Sequence, residues 1–243
     1  MMDLQWHSPP VDLTLSDETV HLWRINLDRP PVSLSELHQT LAPDEQQRAD
    51  RLRTEVLQQR AIVSRGILRI LLGRYLNQPP GNLEFCYGPY GKPAFATVPT
   101  PPFHFNLAHS EDLALYAFAQ RTIGVDVEKV RSISDVKQLA QRFLAPEEAA
   151  DVLDTLVDQQ SIRFLQYWTC KEAYLKAIGR GLGGLSQVSL SPVTAESVTL
   201  MRGIKKNQSE QIWWLRFFYV GPDAIAALAV EGQAPSLVGW GWT

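Results

Sequence analysis

Thr122-Ile123-Gly124-Val125-Asp126-Val127-Glu128 is the stretch around which the rest of the chain can be ordered. An extended chain projects successive side chains to opposite faces, so Ile123, Val125 and Val127 share one face and Gly124, Asp126 and Glu128 the other. The pattern predicts a strand with a buried apolar side and two carboxylates standing together on the second side. Upstream, strands are predicted over 21–25, 83–87, 103–106 and 113–119, around a helix over 58–75 that follows a helix start at Leu41-Ala42-Pro43-Asp44-Glu45. Downstream come helices over 134–143, 146–157 and 161–178, then strands over 187–190, 197–201, 212–220 and 224–230. Runs of strands and runs of helices without regular alternation predict an α+β fold rather than a doubly wound parallel sheet. The restart of the pattern near residue 120 divides the 243 residues into halves, 1–119 and 120–243. No internal repeat is legible between them.

Composition excludes several classes. With 45% apolar and 20% charged residues and a net charge of −3, the chain is neither disordered nor collagen-like, and it is not a solenoid. Its longest apolar runs, such as 224–230, fall far short of the roughly 20 residues that span a bilayer, so no membrane is expected as a partner. Met1-Met2-Asp3-Leu4 lacks the basic start and apolar stretch of a secretory signal, and the cytoplasm is the expected location. Cys86 and Cys170 have no zinc-ligand spacing. Residues 48–74 hold seven arginines against Asp50 and Glu55, a local excess of five positive charges that admits an anionic ligand. Arg65 and Arg69, one helical turn apart, also fit a merely solvated face. A nucleic-acid binder would be basic overall, so nucleic acid is not expected.

The chemistry starts with Asp126 and Glu128. Carboxylates this close repel one another unless a cation lies between them, and a hard ion such as Mg²⁺ suits oxygen ligands and completes its shell with water and phosphate. Taken alone, Asp-x-Glu equally describes an ordinary strand edge. Glu172 and Lys176 lie one turn apart in Trp168-Thr169-Cys170-Lys171-Glu172-Ala173-Tyr174-Leu175-Lys176, which places acid and base on one helix face or makes a plain surface ion pair. Gly91-Lys92-Pro93 precedes Phe103-His104-Phe105-Asn106-Leu107-Ala108-His109-Ser110, where a strand ending in His and Ser, near a lysine, could hold a diphosphate. His109 by itself also reads as a structural histidine.

In order and content these segments resemble the 4'-phosphopantetheinyl transferases, in the larger monomeric type. The resemblance rests on Gly91-Lys92-Pro93, then 106–110, then Gly124-Val125-Asp126-Val127-Glu128, then Trp168 through Lys176 to Gly179-Arg180-Gly181-Leu182. It implies an α+β fold of two similar subdomains related by a pseudo-twofold axis. Coenzyme A and Mg²⁺ would bind in the cleft between them, with residues 1–119 contacting coenzyme A and 120–243 carrying the metal-binding acids. Carried over by position, Asp126, Glu128 and Glu172 are the expected Mg²⁺ ligands. Glu172, Lys176 and Asp126 are the expected catalytic residues. Lys92, His109 and Lys176 are expected on the phosphates, and Arg48 and Arg60 on the nucleotide. Ala108 stands where many relatives have Ser, so one hydroxyl contact is missing.

The implied reaction moves phosphopantetheine from coenzyme A to a serine of an apo acyl or peptidyl carrier protein and releases adenosine 3',5'-bisphosphate. Such carriers present an acidic helix beside the serine. The docking face is therefore expected near the third helix of the second half and Lys129–Arg131, with Arg163, Lys171, Lys176 and Arg180 as its cations. A monomer is expected, because both halves lie in one chain. A nuclease, a glycoside hydrolase and a non-catalytic carrier-binding module are the competing readings of the same acids.

Overall fold

The computed structural model describes residues 4–193, 198–204 and 211–242. The first three residues of the chain, and Ser197 at the start of one expected strand, lie outside that set.

The first half opens with β1 (Trp6–His7) and β2 (Thr19–Asn26) and continues into α1 (Leu34–Thr40), α2 (Pro43–Asp50) and α3 (Glu55–Leu76). Each start has a local cause. The Ser33 hydroxyl accepts from the Glu36 amide at 3.3 Å before α1, Pro43 supplies its fixed φ to the first turn of α2, and the Thr54 hydroxyl accepts from the Leu57 amide at 3.3 Å before α3. Two short strands, β3 (Phe85–Tyr87) and β4 (Pro93–Phe95), precede the hairpin of β5 (His104–Ser110) and β6 (Leu113–Ala119).

The second half has β7 (Ile123–Lys129), α4 (Val136–Phe143), α5 (Pro146–Asp154) and α6 (Gln160–Ala177). After the small strands β8 (Ser189–Leu190) and β9 (Leu200–Arg202) come β10 (Trp213–Tyr219), β11 (Ala224–Glu231) and β12 (Ser236–Gly241). The architecture is α+β, as the sequence predicts. One sheet runs β1-β12-β2-β6-β5 and another β10-β11-β7. The strand β12, which the sequence reading lacks, returns to the first sheet and pairs in parallel with both β2 and β1.

Period-two alternation sorts the apolar residues into layers. Ala114, Tyr116 and Phe118 of β6 face α3, whereas Leu115, Ala117 and Ala119 pack against Val125, Leu228 and Val230 of the other sheet. Ile225, Ala227 and Ala229 of β11 in turn face α6. The molecule is thus helix, sheet, sheet, helix, with a core in each of the three gaps. Strand β7 is buried on both faces, because α6 covers the side that carries its acids.

The two halves repeat one plan. In each, a first strand is followed by helices and then a hairpin whose second strand pairs with the first: β2-β6-β5 and β7-β11-β10. The repeat is written in the sequence after all, as Leu41-Ala42-Pro43-Asp44-Glu45 and Leu144-Ala145-Pro146-Glu147-Glu148. Glu45 caps α2 by accepting from the Ala42 amide at 2.9 Å, and Glu148 caps α5 by accepting from the Ala145 amide at 2.6 Å. Both carboxylates are buried and each pairs with a buried cation on the long helix: Glu45 with Arg69 at 2.6 Å, and Glu148 with Lys171. Two expectations change accordingly. Arg69 belongs to no solvated face, since its guanidinium also donates to the carbonyls of Pro80 and Leu83 at 2.9 and 3.0 Å. Lys171 is fully buried and cannot serve a docking surface.

Two predictions follow from these buried groups. Removing one member of a buried ion pair strands the other, so Lys171→Met should lower stability by about 3–5 kcal/mol in denaturant titration. His21 is buried with Nδ1 2.7 Å from the Tyr75 hydroxyl, which also accepts from Trp23 Nε1 at 3.0 Å. Burial lowers the His21 pKa from 6.5 to about 4. Between those values the unfolded chain takes up a proton that the native state refuses. Stability should therefore be full above pH 6.5 and fall as pH drops toward 4, by up to about 1.4 kcal/mol per unit. His21→Gln should flatten that slope.

Candidate active site

Gly124 decides how closely α6 approaches β7. A Cβ built there would overlap the Ala173 carbonyl oxygen and the Ala177 amide nitrogen, so only a residue without a side chain lets the helix backbone rest on the strand. Two residues further along the same strand face is Asp126, and α6 supplies Glu172 immediately before Ala173 and Lys176 about one turn after it. Lys176 Nζ lies 2.6 Å from Asp126 Oδ1 and 4.0 Å from Glu172 Oε2. The other oxygen, Asp126 Oδ2, is buried and has no hydrogen-bond partner among the described residues.

Electrostatics mark this as a strained cluster. Burial pushes the Asp126 carboxyl up to about 7; Lys176 opposes the rise, and the charges of Glu172 and Glu128 add to it. Glu172 is raised by burial and by Glu128, against the pull of Lys176. The three acids therefore act on one another, although among the described residues no group of three His, Cys, Asp or Glu stands ready as a metal cage.

Strands β5 and β7 lie side by side at the seam between the sheets, without a strand ladder between them. Side chains replace it. Asn106 Oδ1 accepts from the Val125 amide at 2.8 Å, and Ser110 Oγ accepts from the Lys129 amide at 3.1 Å while donating to Glu128 Oε2 at 3.0 Å. Ala108, between them on the same strand face, packs into the core between the sheets.

Two hollows adjoin the cluster. The larger, about 560 Å³, is lined by Arg48, Arg60, Arg65, Ser64 and His109 among others. Arg60 is held by Asp28 through bonds of 2.7 and 2.8 Å, and Arg48 stacks over Tyr87 at 4.9 Å. His109 is kept below its ordinary pKa by burial and by Lys176. The smaller, about 300 Å³, is lined by Lys92, Lys176, Arg180 and Tyr90. Lys92 Nζ donates to the Ala177 carbonyl at 2.8 Å and that of Ile123 at 3.3 Å, which ties the 88–92 turn to the end of α6.

Arg65 and Leu107 line both hollows. Arg65, which by sequence fits either an anionic ligand or a solvated face, has a buried Nη1 with no hydrogen-bond partner among the described residues and its Nε 3.4 Å from Glu45. The signal for it was the position one turn before Arg69 on α3. A third hollow, about 340 Å³, lies beyond Glu128 and is lined by Ile133, Leu139, Phe143, Phe164 and Trp168, with Arg131 at its edge.

Among the described residues no helix is long and apolar enough to cross a membrane. Residues 122–227 match the model of the 4'-phosphopantetheinyl transferase superfamily. The chain is 40% identical to 4'-phosphopantetheinyl transferase HetI of a Nostoc species over 96% of both chains. It is 36% identical to a putative 4'-phosphopantetheinyl transferase of a Synechocystis species, covering 69% of this chain and 68% of the relative. To 4'-phosphopantetheinyl transferase Sfp of Bacillus subtilis it is 29% identical, over 66% of this chain and 71% of the relative.

Gly124→Ala tests the close approach. It should force α6 off β7, lower stability by roughly 1–3 kcal/mol in denaturant titration, and abolish turnover even where the fold survives.

Proposed function

This chain belongs to the 4'-phosphopantetheinyl transferase superfamily, and from that premise we propose that it moves the phosphopantetheine arm of coenzyme A onto the serine of an apo carrier protein. The observation that carries this reading is the meeting of Asp126, Glu172 and Lys176 across the contact of β7 with α6, at one end of a cationic double hollow. Coenzyme A is long and carries phosphates at separated points, which suits two neighbouring cationic hollows better than one compact pocket. Arg48, Arg60 and Arg65 would take the nucleotide end, and Lys92, His109, Lys176 and Arg180 the diphosphate.

Mg²⁺ fits the donor set. Asp126 offers a buried oxygen without a partner, all three acids are oxygen ligands, and Mg²⁺ commonly takes one or two carboxylates and draws the rest of its shell from phosphate and water. Asp126, Glu128 and Glu172 would hold it, and once bound it would stabilise charge on the phosphoryl oxygens.

The chain's own groups do the remainder. Lys176, about a third exposed, would turn its ammonium to the phosphates and stabilise charge developing there. The carrier serine Oγ attacks the phosphorus next to the pantetheine arm. The bond from that phosphorus to the bridging oxygen breaks, and adenosine 3',5'-bisphosphate leaves. The serine proton would go to Glu172, the carboxylate that shares the helix face of Lys176.

The carrier's helix would dock over the apolar hollow beyond Glu128, which lies next to the acids. Lys129 is occupied by Asp112 and Asp223, and Arg163 by Asp151 and the Val193 carbonyl. Exposed Arg131, Lys137 and Arg142 remain to meet an acidic helix.

Glu172→Gln should keep coenzyme A affinity and lose about 100-fold or more in kcat, and Asp126→Ala should raise the Mg²⁺ concentration needed for half-maximal rate, with carrier modification followed by mass spectrometry. Near-normal rates in both at low Mg²⁺ would overturn the assignment. Arg131→Glu with Arg142→Glu should raise KM for the carrier and leave KM for coenzyme A unchanged. An unaltered carrier KM would remove the docking face from this side.

A further inference from the structure

We infer that Ser110 is a positioning residue for Glu128, reaching across the seam between the two sheets to aim one carboxylate oxygen into the acid cluster. The inference rests on the reading of Glu128 as a Mg²⁺ ligand and adds a residue to it.

The hydrogen-bond directions at Ser110 are set by its two neighbours on β7. Ser110 is the last residue of β5 and is buried, and Glu128 is the sixth residue of β7. A serine hydroxyl has one proton and two lone pairs, whereas a backbone amide can only donate. The Lys129 amide donates to Ser110 Oγ at 3.1 Å, which uses a lone pair and leaves the single proton to point elsewhere. It points to Glu128 Oε2 at 3.0 Å, an acceptor once the acid is ionised. Backbone geometry therefore sets the direction in which the hydroxyl donates.

The consequence falls on Glu128. Its charge repels the neighbouring carboxylates Asp126 and Glu172, and a partly exposed glutamate near a strand end is free to swing outward from such neighbours. The bond from Ser110 fixes Oε2 and leaves Oε1 for a cation. Outer partners that orient a ligand in this way matter to metal affinity by about 10–100-fold. Because the hydroxyl belongs to one sheet and the carboxylate to the other, the same contact makes the shape of the acid cluster depend on the registration of the two sheets.

The test is calorimetric titration of Mg²⁺ into full-length protein saturated with coenzyme A and without carrier, a measurement of binding rather than turnover. Ser110→Ala should weaken Mg²⁺ by about tenfold or more while coenzyme A affinity without Mg²⁺ stays unchanged. Ser110→Thr, which keeps the hydroxyl, should bind close to wild type. Ser110→Cys, with its weak thiol donor, should fall between and serves if the alanine variant does not fold. Glu128→Gln is the control on the underlying reading. Weakened Mg²⁺ in Glu128→Gln with wild-type affinity in Ser110→Ala or Ser110→Cys would overturn the positioning role alone. Wild-type affinity in Glu128→Gln as well would remove Glu128 from the metal site and the inference with it. Threonine behaving like alanine would show that size, not the hydroxyl, is what counts, and would also overturn the inference.

Discussion

Everything at the site depends on backbone-to-backbone contact between α6 and β7 at Gly124. The contact is van der Waals in kind and leaves no room for a methyl group against Ala173 and Ala177. Its effect is electrostatic. By bringing the helix down onto the strand it puts an ammonium on one oxygen of a buried carboxylate and leaves the other oxygen unsatisfied. An unpaired buried acceptor is costly, and a cation bound there would relieve that cost.

A rigid frame is needed to hold such an arrangement, and the two buried ion pairs contribute to it. Glu45–Arg69 and Glu148–Lys171 are equivalent in the two repeated units: a cap at the start of a short helix, locked to the middle of the long one. Replacement by apolar residues could be as stable. The ionic version also fixes angle and register, because the carboxylate must satisfy an amide and a cation together. In the second unit the locked helix is α6, which carries Glu172 and Lys176.

The seam between the sheets sets Asn106 and Ser110 of one sheet against Val125, Glu128 and Lys129 of the other. Asn106 and Ser110 replace a missing strand ladder, so the edges of β5 and β7 meet through side chains. Alternation along β5 then turns Asn106, Ala108 and Ser110 to the seam and His109 to the large hollow beside α3. Neighbouring residues of one strand thereby face the large hollow and the acid-bearing strand β7.

Periodicity alone was enough to read most elements, the α+β class and the pairing of Asp126 with Glu128 on one face, because alternation and helical spacing are local properties of the chain. The family resemblance followed from the same local motifs and their order. Helix α1 and strand β12 escaped that reading. The Ser33 and Glu36 caps are brief, and β12, rich in Gly and Trp, is defined by its partners β2 and β1 rather than by its own alternation. The repeat of Leu-Ala-Pro-acid-Glu was present in the letters, yet its meaning needed Arg69 and Lys171 to be seen buried against it. Arg65, Asn106 and Ser110 acquire roles only where distant segments meet. Local sequence thus determined which side chains share a face. The packing of α6 on β7 and of β5 beside β7 decided which faces meet, because charge and hydrogen bonding act through space between residues that the chain itself keeps far apart.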